Sequence, residues 1–91
     1  MLIRSQDKRM IVNFDNICTV SAFPEKDSED IYVEDGTGSL MVGRYSTKAK
    51  AMKVLNMIQE AYCKFMSVKN DDAWDGKESA FYMPEDSEVE V

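Results

Sequence analysis

The sequence predicts an α+β domain. Its strands form an antiparallel five-stranded meander or a partly rolled barrel, with one C-terminal α-helix packed on it and a short last strand. Three observations predict this. Short runs rich in β-branched and aromatic residues alternate with polar turns over residues 1–45. The apolar period then changes to helical spacing over residues 47–66. Ninety-one residues, 44% of them hydrophobic, suffice for one core and one domain.

The elements follow in order. Met1, Leu2, Ile3 and Arg4 begin a first strand, and Met10, Val12 and Phe14 alternate with Ile11 and Asn13 in a second. Between them lies the polar knot Ser5, Gln6, Asp7, Lys8 and Arg9, where Asp7 suits an Asx-type turn. Asp15 and Asn16 make another turn. "ICTVSAF", residues 17–23, is the third strand, and Pro24 ends its ladder for lack of an N–H. "PEKDSED" is a charged loop and "IYVED" the fourth strand. "DGTGS" turns the chain into the fifth, "LMVGRY".

From residue 47 to 66, Ala51, Met52, Leu55, Ile58, Tyr62, Phe65 and Met66 recur at i, i+3, i+4, the pattern of an amphipathic helix. Ser46 or Thr47 supplies its N-cap. Residues 67–79 break the pattern as a connector, and "AFYMP" returns as a last short strand or packs an edge. Residues 1–84 form the domain, and 85–91, "EDSEVEV", read as an acidic flexible tail. One helix cannot cover both faces of five strands, so either the sheet rolls into a partial barrel around the helix or a second copy, in a homodimer, covers the open face.

Composition excludes several chemistries. There is no histidine, which removes Ser-His and Cys-His nucleophile pairs and most transition-metal sites. The two cysteines, Cys18 and Cys63, have no CxxC spacing and read as reduced, partly buried thiols. "DGTGS" lacks the lysine of a phosphate loop and reads as a hairpin turn. No carboxylate pair is promised by spacing, so no catalytic residue, cofactor or metal is assigned. Met1–Arg9 carries charges where a leader would be apolar, and no run is long enough to span a bilayer, so a cytoplasmic protein is expected.

Charge is unevenly placed. Ten Lys/Arg face nine Asp/Glu before Asn70, and one faces eight from there on. That disfavours nucleic acid and suits a basic protein partner, or simply solubility. Trp74, set among Asp71, Asp72 and Asp75, is a candidate partner anchor; the plainer reading is that it closes one edge of the core. Arg44, Lys48, Lys50 and Lys53 crowd the helix start, where the dipole is already positive. They could hold a nucleotide, a partner's acidic patch or this chain's own acidic tail, or simply be a solvated face. Met41, Met52, Met57 and Met66 read as core filler before they read as an adaptable surface.

"IRSQDK", "GRYSTKAKAMKVLNMI" and "FYMP" resemble segments of short, mostly uncharacterised proteins of Gram-positive bacteria and their phages. The resemblance covers most of the chain except "PEKDSED" and the tail. It implies that these three pieces meet in space, making the knot a structural corner in preference to a site. No activity comes with the group. The reading that results is a small non-enzymatic protein acting by stoichiometric, inhibitor-like binding to another protein. A binder of an anionic nucleotide and a structural accessory protein are the rivals.

Overall fold

The computed structural model describes residues 1–68 and 80–90. Its elements are β1 (Leu2–Arg4), β2 (Ile11–Asn13), β3 (Thr19–Pro24), β4 (Glu29–Glu34), β5 (Ser39–Tyr45), α1 (Lys48–Val68) and β6 (Ala80–Tyr82). The α+β class and the short last strand are present, but the strands divide into two sheets, ordered β2-β1-β6 and β3-β4-β5. They do not form one five-stranded meander, and the sheets do not close into a barrel.

The division has a local cause. After β2, the Asn13 side chain accepts the Asp15 N–H at 3.0 Å and starts a 3₁₀ turn at Phe14–Asn16. The turn ends the first ladder, and β3 pairs with β4 alone. The edge that β3 does not cover is taken by β6, which lies parallel to β1 with Ile3 opposite Phe81. Parallel neighbours need a long crossover, and here the whole of β2 through α1 supplies it.

The helix begins one residue after its cap. Thr47 Oγ1 accepts the Lys50 N–H at 3.1 Å. Its apolar stripe packs across β3, β4 and β5, and Ala51, Val54 and Ile58 are buried there. Ile31, Val33, Val42 and Tyr45 meet them from the larger sheet, and Ile3 and Val12 from the smaller. The core therefore lies between the two sheets and under the helix.

A bulge in β5 shapes this core. Tyr32 pairs with Met41 and Ile31 with Gly43, so Val42 is the extra residue. Val42 is buried, and its carbonyl accepts the Gln6 N–H at 2.7 Å. Beside the bulge, a Cβ on Gly43 would lie 2.9 Å from the Tyr45 ring and 3.0 Å from the Met83 methyl. The ring has little room to yield, because its hydroxyl donates to the Pro84 carbonyl at 2.8 Å.

Residues 85–90 are docked, unlike the flexible tail read from their charge. Asp86 accepts the Ser46 N–H at 2.7 Å, and Val89, 4% exposed, is part of the core. The acids that suggested disorder satisfy backbone donors instead: Glu88 also accepts the Glu85 N–H at 2.8 Å, holding the 3₁₀ turn Asp86–Glu88.

Gly43→Ala is expected to cost about 1–3 kcal/mol through overpacking against the held Tyr45 ring. The denaturation midpoint should fall with an unchanged slope. An equal or higher midpoint would show that the ring and Met83 give way freely.

Candidate functional site

The knot is a corner that joins three parts of the chain. Ser5, 2% exposed, donates its hydroxyl to Asp7 Oδ1 at 2.6 Å and accepts the Met10 N–H at 3.1 Å. Asp7 also takes the Arg9 N–H at 3.0 Å. Lys8 turns the corner at φ 65°, with the Arg4 guanidinium on its carbonyl. The Ser5 hydroxyl, then the Arg9 amide, hold the Asp7 carboxyl below its ordinary pKa.

Gln6 does more than turn the chain. Its Oε1 accepts the Arg44 N–H at 2.8 Å, and its Nε2 donates to the Arg44 carbonyl at 3.0 Å and the Pro84 carbonyl at 3.2 Å. One carboxamide thus imitates a strand's peptide group along the outer edge of β5. The "SQDK", "GRYST" and "FYMP" segments meet at this point.

The basic helix start is matched from within the chain. Lys50 Nζ donates to the Asp86 carbonyl at 3.0 Å and approaches its carboxylate at 3.4 Å. Lys53 Nζ reaches the Glu90 carbonyl. Ser46, first, and Lys50 hold the Asp86 carboxyl below its ordinary pKa. Lys48 is exposed. Of the partners open from sequence, the acidic C-terminal segment is the one that occupies this end.

Arg44 points elsewhere. Its guanidinium grips Asp30 through Nε at 3.1 Å and Nη2 at 3.0 Å, and Ser28 donates to the same carboxylate at 2.8 Å. Asp30 has no exposed surface, and these donors depress its pKa, Arg44 foremost. The two residues face each other across β4 and β5, so the pair also fixes their register.

Asp71, Asp72, Trp74 and Asp75 lie outside the described residues. Among the described residues, no three His, Cys, Asp or Glu side chains converge on a metal-sized point, and no helix is long and apolar enough to cross a membrane. Cys18 and Cys63 are free thiols and exposed, not partly buried. "DGTGS" is a hairpin turn in which Asp35 Oδ1 accepts the Thr37 N–H at 2.9 Å and the Gly38 N–H at 3.2 Å. Met41, Met52 and Met66 are exposed, so only some methionines fill the core.

The feature that composition did not single out is the outer face of the larger sheet. Ala22, Ile31 and Val33 turn inward, which leaves Ser21, Phe23, Tyr32 and Met41 on the opposite face. Phe23 is 59% exposed and Met41 38%. Phe23 and Tyr32 pack edge to face at 6.5 Å, and the Tyr32 hydroxyl donates to Glu25 at 3.2 Å. Burial, then the Glu25 contact, raise the Tyr32 pKa. The exposed acids Glu25, Asp27, Glu34 and Asp35 surround this cluster. The signal was present in the two-residue period of "SAF" and "IYV", read for both faces and not only the buried one.

Gln6→Ala should destabilise by about 1–3 kcal/mol, since it strips the partner from a backbone N–H and from two carbonyls. Gln6→Glu should be worse at neutral pH, because a carboxylate then faces the Arg44 and Pro84 carbonyls; equal midpoints for the two variants would remove Gln6's donor role. Asp30 contributes stability through a depressed folded pKa. That contribution is complete above the ordinary carboxyl range and is lost as pH falls through it, below about pH 4. Urea midpoints measured from pH 7 to pH 3 should therefore fall, and Arg44→Gln should lower the pH 7 value and flatten the fall. Asp7, Asp35 and Asp86, also depressed, leave a residual slope.

No protein-family model, curated protein or solved structure matches this chain.

Proposed function

We propose that this is a small non-enzymatic protein that binds another protein stoichiometrically, inhibitor-like, through the outer face of the β3-β4-β5 sheet. The observation that carries the reading is the solvent-facing cluster Phe23, Tyr32 and Met41 inside an acidic margin. Aromatic and Met side chains at the centre of a polar rim are the usual make-up of a protein-binding surface. The paired rings are already packed on each other, so little side-chain entropy is lost on docking.

Charge favours a basic partner. A second copy of the chain on the same face would set this acidic margin against itself, whereas Lys or Arg on a partner would complement it. The rival reading, an anionic nucleotide at the helix start, is weakened by the C-terminal segment that lies there.

The experiment is affinity capture from the native host lysate followed by native mass spectrometry, with the wild-type chain beside Phe23→Asp. The expected result is a fixed-ratio complex with a basic protein that Phe23→Asp loses while its melting temperature stays within a degree or two, as for other surface changes. A complex that survives Phe23→Asp and Met41→Asp would move the interface off this face. Extra mass of only a few hundred daltons would favour the small-ligand reading.

A further inference from the structure

We infer that the free edge of β3 accepts an extended, basic segment of the partner polypeptide as a fourth strand of the sheet, one row of its side chains entering the groove between β3 and α1. This rests on the protein-binding reading and names the form of the partner. It follows from the different treatment of the sheet's two edges.

The C-terminal half of the β5 edge is covered, since Gln6 satisfies the outward N–H and C=O of Arg44 and the carbonyl of Val42. Among the described residues the β3 edge is bare, because there β3 pairs only with β4. Its outward groups can be named. Ladder pairs alternate between hydrogen-bonded and non-hydrogen-bonded. The Glu25 N–H meets the Ser28 carbonyl at 2.8 Å, so Phe23, Ser21 and Thr19 bond to β4 by the same parity. Cys18 N–H on the Glu34 carbonyl at 2.7 Å fits this parity as a bulge at the strand start. The N–H and C=O groups of Val20 and Ala22 therefore point outward. Pro24 has the same outward parity, the position where a missing N–H costs the ladder nothing.

Edges are commonly guarded by charge. In a chain with 31% charged residues, the six residues of β3 include none. Beside this edge lies a groove of about 480 Å³ lined by Phe14, Val20, Leu55, Ile58, Gln59 and Tyr62, with the exposed Cys63. A strand laid against β3 would point alternate side chains into it and the others past Phe23, which is how added strands combine main-chain affinity with side-chain selectivity.

The occupant is argued from charge. Glu25 and Asp27, with the exposed Lys26 between them, lie beyond one end of β3, and Glu34 and Asp35 beside the other, so acid is in excess at both ends. An antiparallel second copy would bring one molecule's Glu25 end onto the other's Glu34 end, acid on acid. A segment with apolar residues at its centre and Lys or Arg at both ends complements the site.

The test is an amide NMR titration of the full chain with the capped peptide Lys-Lys-Val-Thr-Val-Thr-Val-Lys-Lys and with its Glu-for-Lys counterpart. The expected result is slowed hydrogen exchange at Val20 and Ala22 with the Lys peptide, and binding at least about tenfold weaker for the Glu peptide. Ala22→Pro removes one outward N–H without touching the β4 ladder and should abolish that protection. Should Ala22→Pro misfold, Gln59→Lys leaves the backbone alone and should weaken the Lys peptide by charge at the groove. Shifts confined to Phe23, Tyr32 and Met41 would overturn strand addition and leave the protein-binding reading standing. Equal binding of both peptides would overturn the basic partner, and protection that rises with protein concentration alone would replace it with a second copy. No binding of either peptide would overturn the inference, while the Phe23→Asp capture decides the reading beneath it.

Discussion

The Gln6 carboxamide is the contact on which the arrangement of the sheets depends. Among the described residues the two sheets share no ladder, and each is three strands wide. Isolated sheets of that size are marginal unless a common apolar layer and fixed polar links hold them together. Gln6 supplies a link by presenting a donor and an acceptor to one residue of β5, and the donor also to Pro84 just past β6. Ser5 and Asp7 hold the chain on either side of it, and the Tyr45 hydroxyl reaches the same Pro84 carbonyl from the core. A side chain in the first hairpin thus sets the spacing of β5, the chain after β6 and the buried tyrosine.

With the Val42–Arg44 end of β5 closed in this way, the longest run of outward peptide groups without a strand partner among the described residues lies on β3, at the opposite edge of the larger sheet. The helix covers only the inward face. The aromatic pair, exposed at Phe23 and half-buried at Tyr32, and the β3 edge are neighbours because Phe23 belongs to both. Apolar area and unpaired peptide groups are therefore offered together, framed by acids that leave the centre uncharged. Asp30, the acid within that sheet that is buried, is neutralised by Arg44 and adds no field of its own to the surface.

How much of this was legible varies with the kind of signal. The helix was read as 47–66 and runs Lys48–Val68, because a 21-residue element repeats its apolar stripe many times. β3, β4 and β5 were legible from β-branched runs bounded by Pro24 and "DGTGS". The partition into two sheets was not, since alternation tells which residues face inward and not which strand lies alongside. Three-residue strands such as β1 and β6 carry almost no period at all. The C-terminal segment was misread because Asp86 and Glu88 have the composition of a disordered tail while serving as acceptors for amides that no sequence window contains. The corner was legible as a turn through Asp7, but the long-range bonds of Gln6, spanning 38 and 78 residues, were outside any local pattern. The site candidates drawn from sequence were charges and a lone tryptophan, which stand out in composition. Phe23 and Tyr32 stand out only in register.

The parallel pairing of β1 with β6 has a kinetic consequence. Residues 2–4 cannot complete their sheet until residues 80–82 have been made and have closed a loop of nearly the whole chain. Contacts of such high sequence separation slow folding, because loop-closure entropy is lost before the contact returns any energy. During synthesis the β1-β2 hairpin emerges first, and the β3-β4-β5 hairpins and α1 follow and can form from nearby contacts while it waits beside them. Residues 80–89, made after all of these and carrying β6, Pro84 and Val89, then close the smaller sheet and fill the remaining gap in the core. A chain stopped short of them would hold a helix on a three-stranded sheet with its apolar flank open to solvent, a species prone to proteolysis and aggregation.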